Sequence, residues 1–142
     1  MAQLAEMNTF SVERWNFREE VLQFLEDLKA ALAPLEDNFE MITGDMCCGS
    51  CSVHELSENM IRSNKDYGLF WHINDETTLN ELGEGMWIGF VSRTGPGTVR
   101  AAKAIMAELL MKNYKVAWDG DIDTRIYIKT DHLIPAPALR VS

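Results

Sequence analysis

The 142-residue sequence predicts an α+β fold: a single-domain sandwich with about three helices and a mixed or mostly antiparallel sheet of about five strands. Two observations point there. Apolar residues recur every three or four positions in some segments and every second position in others, the periods of helix and strand. The segments also follow the order α-β-α-β-β-α-β-β, which lacks the strict strand–helix alternation of a parallel sheet. Helices on one face of the sheet satisfy that order.

The first element is a helix over about 11–33. Val21, Leu25, Leu28, Leu32 and Leu35 fall on one stripe at 4-3-4-3 spacing, and Glu13, Glu19, Glu20, Glu26 and Asp27 make the remainder acidic. Pro34 ends or kinks it. Asn38 to Thr43 reads as a strand closed by Gly44-Asp45. A second helix follows, with Ser52-Val53-His54-Glu55 as its capping box, Val53, Leu56 and Met60 on its core side, and an end near Ser63. Tyr67 to Ile73 is the next strand, with Leu69, Trp71 and Ile73 on one face and Phe70 and His72 on the other. A polar stretch over 74–85 reads as a connection to the strand Met86 to Val91. Gly95-Pro96-Gly97 breaks the chain. Thr98 caps a helix over 98–112 whose apolar face is Val99, Ala102, Met106, Leu109 and Leu110. Lys115 to Trp118 and Arg125 to Lys129 are the last strands, and the tail with Pro135 and Pro137 is irregular. Trp15, Trp71, Trp87 and Trp118 are expected in the core or half-buried.

Composition narrows the function. Forty-six per cent of residues are hydrophobic and 25% charged, enough for a core and too apolar for a disordered chain. The net charge of −9 argues against a nucleic-acid partner, because a phosphate backbone needs a surplus of Lys and Arg. No basic start with an apolar run marks a secretory signal, and no stretch reaches 18 apolar residues, so no membrane partner is expected. Three cysteines cannot form a fully paired framework, and the chain is expected to be cytoplasmic with reduced thiols. Residues 1–66 carry −8 of the net charge. This reads as a solvated face, and the acidic first helix also offers a surface on which a homo-oligomer could form.

The most unusual segment is Cys47-Cys48-Gly49-Ser50-Cys51, which holds all three cysteines between a strand and a helix start. The positive end of a helix favours a thiolate. Four readings stay open. Zinc takes thiolates and imidazoles in a tetrahedron, and Cys48 and Cys51 have the knuckle spacing, with His54 or His72 as the imidazole. Cys48-Gly49-Ser50-Cys51 before a helix has the placement of a redox pair, but the proline that a thioredoxin-like site sets before a later strand is missing. A nucleophilic cysteine would take His72 as base and Asp75 as orienter. The plain alternative is three small buried side chains.

Taken together these residues resemble a family of small uncharacterised bacterial domains, a domain of unknown function. The marks are Cys47-Cys48-Gly49-Ser50-Cys51, then His72-Ile73-Asn74-Asp75, then Trp118-Asp119-Gly120, then Arg125-Ile126, and they cover about 36–130. Glu76 stands where the family's pattern runs from Asp directly to Thr. The resemblance implies an α+β domain and no assigned activity. It also implies that Cys47, Cys48, Cys51, His72 and Asp75 travel as a set.

Two further segments carry less. Asp119 to Asp123 alternates carboxylates but has Thr124 and Thr130 where a calcium loop needs Gly and Glu, so it reads as a hairpin turn. The loop Arg93 to Thr98 lacks both glycine-rich phosphate patterns and reads as a plain connection, with Arg93 and Arg100 as its only anion contacts. His132 is expected to be solvated. The sequence thus points to a non-enzymatic binding or interaction module. Its cysteine box is structural or holds zinc through Cys48, Cys51 and His72, with Cys47, His54 and Asp75 as neighbours. The alternative is a thiol-dependent enzyme or redox protein using Cys48 or Cys51 with His72 and Asp75.

Overall fold

The computed structural model describes residues 16–44, 49–94 and 97–136. Along them run α1 (Glu19–Leu32), a 3-10 turn (Ala33–Asp37), β1 (Phe39–Thr43), α2 (Gly49–Ser63), β2 (Tyr67–Trp71), α3 (Ile73–Leu82), β3 (Gly85–Ser92), α4 (Gly97–Met111), β4 (Lys115–Ala117) and β5 (Ile126–Lys129). The strands form one sheet in the order β1-β2-β3-β5-β4. β1 and β2 are parallel, and the other three pairings are antiparallel. The chain is therefore an α+β domain with a mixed, mostly antiparallel five-stranded sheet. None of the described helices is long and apolar enough to cross a membrane.

One face of the sheet carries the main core. Val21, Phe24, Leu25, Leu28 and Leu32 of α1 and Ala101, Ala102, Ile105 and Leu109 of α4 pack against Leu69, Trp71, Met86, Ile88, Phe90, Ile126 and Ile128. The 4-3-4-3 stripe of α1 is buried as its spacing requires. Only its last member, Leu35, lies beyond the helix, because Pro34 enters the 3-10 turn. The expected helix start at 11–15 lies outside the described residues. Within them the helix begins at Glu19, because Arg18 is extended (φ −64°, ψ 145°).

Among the described residues four helices stand where about three were expected. The polar stretch over 74–85 is not a connection but α3. Its apolar content is thin, with Leu79 its one buried hydrophobic residue, so periodicity does not reveal it. Its ends define it instead. The His72 N–H donates to Asp75 Oδ2 (3.0 Å), and Gly83 closes the helix in the left-handed conformation (φ 67°). Inside, the Trp71 Nε1–H donates to the buried Glu76 (2.8 Å). Glu76 thus satisfies the largest fully buried side chain among the described residues.

α2 departs from the one-faced arrangement. It covers the opposite face, where its Leu56 packs with Ile42 and Phe70. A parallel β1–α2–β2 crossover needs a helix on one side of its two strands, and the other side is already filled by α1. Gly68 permits the close approach: a Cβ there would lie 3.2 Å from Leu56 Cδ2. α2 begins at Gly49, so Ser52 is a buried residue of the first turn rather than its cap. Val53, expected in the core, is exposed, as is Leu110 of α4. α4 likewise starts at Gly97, one residue before Thr98.

Candidate functional site

The site grows from the end of the sheet where β1 and β2 finish side by side. Thr43 pairs with Trp71, and the Gly44 N–H donates to the Trp71 carbonyl (2.8 Å). The chain leaving β1 toward the cysteine box therefore starts beside His72. Cys48 is four residues on, within about 14 Å of extended chain. Cys47 and Cys48 themselves lie outside the described residues. Cys51 is half-buried in the first turn of α2. His54, one turn on, is 77% exposed and pairs with Glu58 at 3.5 Å.

His72 and Asp75 come together as the sequence suggested. Asp75 Oδ2 lies 3.3 Å from His72 Nδ1 and accepts from the His72 backbone N–H. His72 Nδ1 is buried without a hydrogen bond, so the contact is an ion pair in geometry only. The sequence reading missed the third member. Arg125 Nη1 donates to the same Oδ2 at 3.1 Å. Asp75 is 7% exposed, so a cation beside it offsets the cost of burying its charge. Arg125 precedes β5 and alternates with Ile126 and Ile128, which face the core. That alternation is the signal that sends Arg125 and Tyr127 to the other side.

On that side, among the described residues, β3, β5 and β4 are bordered by α3, whose Asp75, Thr78 and Leu82 line a hollow with Trp87 and Tyr127, and are otherwise bare. Trp87 pairs with Tyr127, and Tyr127 with Ala117. These three form one row on the face opposite the core. Trp87, expected in the core or half-buried, is 41% exposed. Its ring tilts against Tyr127 with centroids 4.8 Å apart, and the Arg125 guanidinium lies 5.9 Å from its centre. Trp71 and Trp118 match the expectation: Trp71 is fully buried and Trp118 half-buried, while Trp15 lies outside the described residues. Two hollows flank the Trp87–Tyr127 ridge. One, about 270 Å³, includes Asp75, Glu84 and Gly85. The other, about 370 Å³, runs over Ala117 between Tyr127 and Trp118. Burial and the Glu84 and Asp131 carboxylates push the Tyr127 phenol above its ordinary value.

The remaining candidates resolve simply. Asp119 to Asp123 forms a turn in which Asp119 Oδ1 accepts from the Asp121 N–H (2.9 Å) and Asp121 Oδ1 from the Asp123 N–H (2.8 Å). Two of its carboxylates thus serve the backbone. Arg93 pairs with Asp66 at 3.0 Å. His132 is exposed, as expected, and its Nδ1 sits 3.7 Å from Asp131 Oδ1. Among the described residues no three His, Cys, Asp or Glu side chains converge as a metal site.

No curated protein and no solved structure matches this chain. A family model does, over residues 13–132, and its description is a domain of unknown function. That span reaches from the start of α1 through the turn after β5, taking in the His72–Asp75–Arg125 cluster and the bare row of Trp87, Tyr127 and Ala117. The chain belongs to the DUF6891 family, a domain of unknown function.

Proposed function

We propose that this chain is a non-enzymatic binding module of the bacterial cytoplasm, in which Cys48, Cys51 and His72 hold a zinc ion. The observation that carries this reading is the orientation of His72. Asp75 faces its Nδ1 at 3.3 Å and is itself held by Arg125 at 3.1 Å. With a metal on Nε2, the Nδ1–H would donate to this carboxylate, which is how a ligating histidine is oriented and made more basic. The nearness of Gly44 to Trp71 supports the approach of the cysteine box. An odd number of clustered thiols suits a reducing compartment. The bacterial origin rests on the resemblance of the motifs. His54 is the weaker imidazole, since it faces solvent and pairs with Glu58.

A second reading has its own support. Cys51 lies in the first turn of α2, where the positive helix end lowers a thiol pKa. There His72 and Asp75 would serve a reactive thiolate. One experiment separates the two. Metal is measured on protein purified reduced, without chelator or a metal column. About one zinc per chain is expected for a three-ligand site with an open or further position. Asp75→Asn should weaken that zinc roughly 10- to 100-fold. No metal, with one thiol alkylated far faster than a model peptide, would overturn the zinc reading in favour of the thiol enzyme. No metal and uniformly slow alkylation would leave the cysteines structural.

A further inference from the structure

We infer that the bare face of β3, β5 and β4 is a binding site for a small anion that carries a planar ring, the chemical class of a mononucleotide. The argument starts from an unfavourable pairing. Lys115 and Lys129 stand directly opposite each other across β4 and β5. Like charges in that position destabilise a sheet. Both are exposed, and neither enters an ion pair among the described residues. In a chain of net charge −9 carboxylates to neutralise them are plentiful, yet among the described residues the nearby Glu84 and Asp131, which act on the Tyr127 phenol, form no ion pair with either lysine. A local conflict of this kind marks a place shaped by something other than folding.

The second part is what lies beside the lysines. Strand alternation puts the Lys115–Lys129 row and the Ala117–Tyr127–Trp87 row on the same face, two residues apart. The hollow of about 370 Å³ is lined by Ala117, Tyr127, Trp87 and Trp118, the last of which also packs edge-on against Phe90 of the core. Ala117 is small, so a flat ring has room to lie beside Trp87 and Tyr127. Trp118 is fixed there because its Nε1–H donates to the Asp121 (3.0 Å) and Thr124 (2.8 Å) carbonyls. The lysines lie about 7 Å along the strands from Ala117, within the span of one mononucleotide. Asp119 at the other end of the hollow offers an acceptor for ribose hydroxyls. Aromatic stacking beside basic groups is how proteins hold single bases, and one small anion does not require the basic surplus that a polyanion does.

The test is a titration of the full chain with AMP, followed by calorimetry and by quenching of tryptophan fluorescence, with adenosine and inorganic phosphate as separate probes. AMP is expected to bind saturably and more tightly than either fragment. Trp87→Ala, and separately Lys115→Ala, should weaken it at least about fivefold, the change that ~1 kcal/mol of lost contact produces. Arg62→Ala, on the far end of α2, should leave it unchanged. The inference is overturned if AMP shows no saturation, if adenosine binds as well as AMP, or if phosphate alone does. It is also overturned if the chain forms a dimer that Trp87→Ala dissolves, since the face would then be covered by a second copy. Zinc content does not enter the readout, so the two proposals fail independently.

Discussion

One face of the sheet is split between two solutions to the same problem. Over β1 and β2 the outward residues Ile42 and Phe70 are roofed by Leu56 of α2, and Phe70 lies across Gly89, where a Cβ would collide with its ring. Over β3, β5 and β4 the outward residues are Trp87, Tyr127, Ala117, Lys115 and Lys129; among the described residues they lie outside the Leu56 cluster, with α3 bordering them where Asp75, Thr78 and Leu82 line a hollow with Trp87 and Tyr127. β3 joins the two halves, its Gly89–Ser92 pairing with β2 and its Gly85–Ile88 with β5. The difference therefore lies in the side chains and the connection. The parallel crossover helix α2 lies over this face of β1 and β2, whereas α3, which joins the antiparallel β2 and β3, sends its Leu79 into the main core instead. Tyr127 stands at the border of wet and dry. Its ring lies over Gly85 while its hydroxyl donates to the Glu84 carbonyl at 3.1 Å.

The comparison is broken most sharply by truncation on the two halves. Leu56→Ala removes the fully buried roof residue and should cost about 2–5 kcal/mol in chemical denaturation. Trp87→Ala removes a larger side chain from the bare half, and should cost less, about 0.5–1.5 kcal/mol for the aromatic pair. Equal losses would show that the bare half is as load-carrying as the covered one. A smaller effect of opposite sign is expected at the lysine pair. Lys129→Glu replaces a like-charge pair by an opposite one and should raise stability by about 0.2–1 kcal/mol, read as a higher Tm at low salt. A lower Tm would mean that the two lysines do not repel in the fold.

The smallest effect is alkaline. The Tyr127 phenol is pushed above its ordinary value of 10.0 by burial, then by Glu84 and Asp131, and that of Tyr114 by burial and Asp27. The folded chain thus holds these protons more tightly than the unfolded one. The stability they contribute is complete below pH 10 and is lost as the pH rises through the folded-state values. Unfolding free energy should be insensitive to these groups up to about pH 10 and decline beyond it. Tyr127→Phe should flatten part of that decline, and an unchanged slope would contradict the shift.

Much of this molecule was determined by its sequence. The α1 stripe, the five strands and the turn at Asp119 to Asp123 follow from local periodicity and from residues whose hydrogen bonds close within a few positions, and these need no knowledge of neighbours. His72 and Asp75 were named together from the sequence as base and orienter, but the helix start that brings them into contact was not read there. α3 was not legible, because its stability comes from its two ends and from the bond between Trp71 and Glu76 rather than from an apolar stripe. Tertiary structure alone decided the rest. Arg125 reaches Asp75 across 50 positions because β5 lies beside β3. Trp87 is exposed because α2 covers only the parallel pair. Strand order and the side taken by a crossover helix depend on which surfaces are already filled, and a single chain read in order does not carry that information.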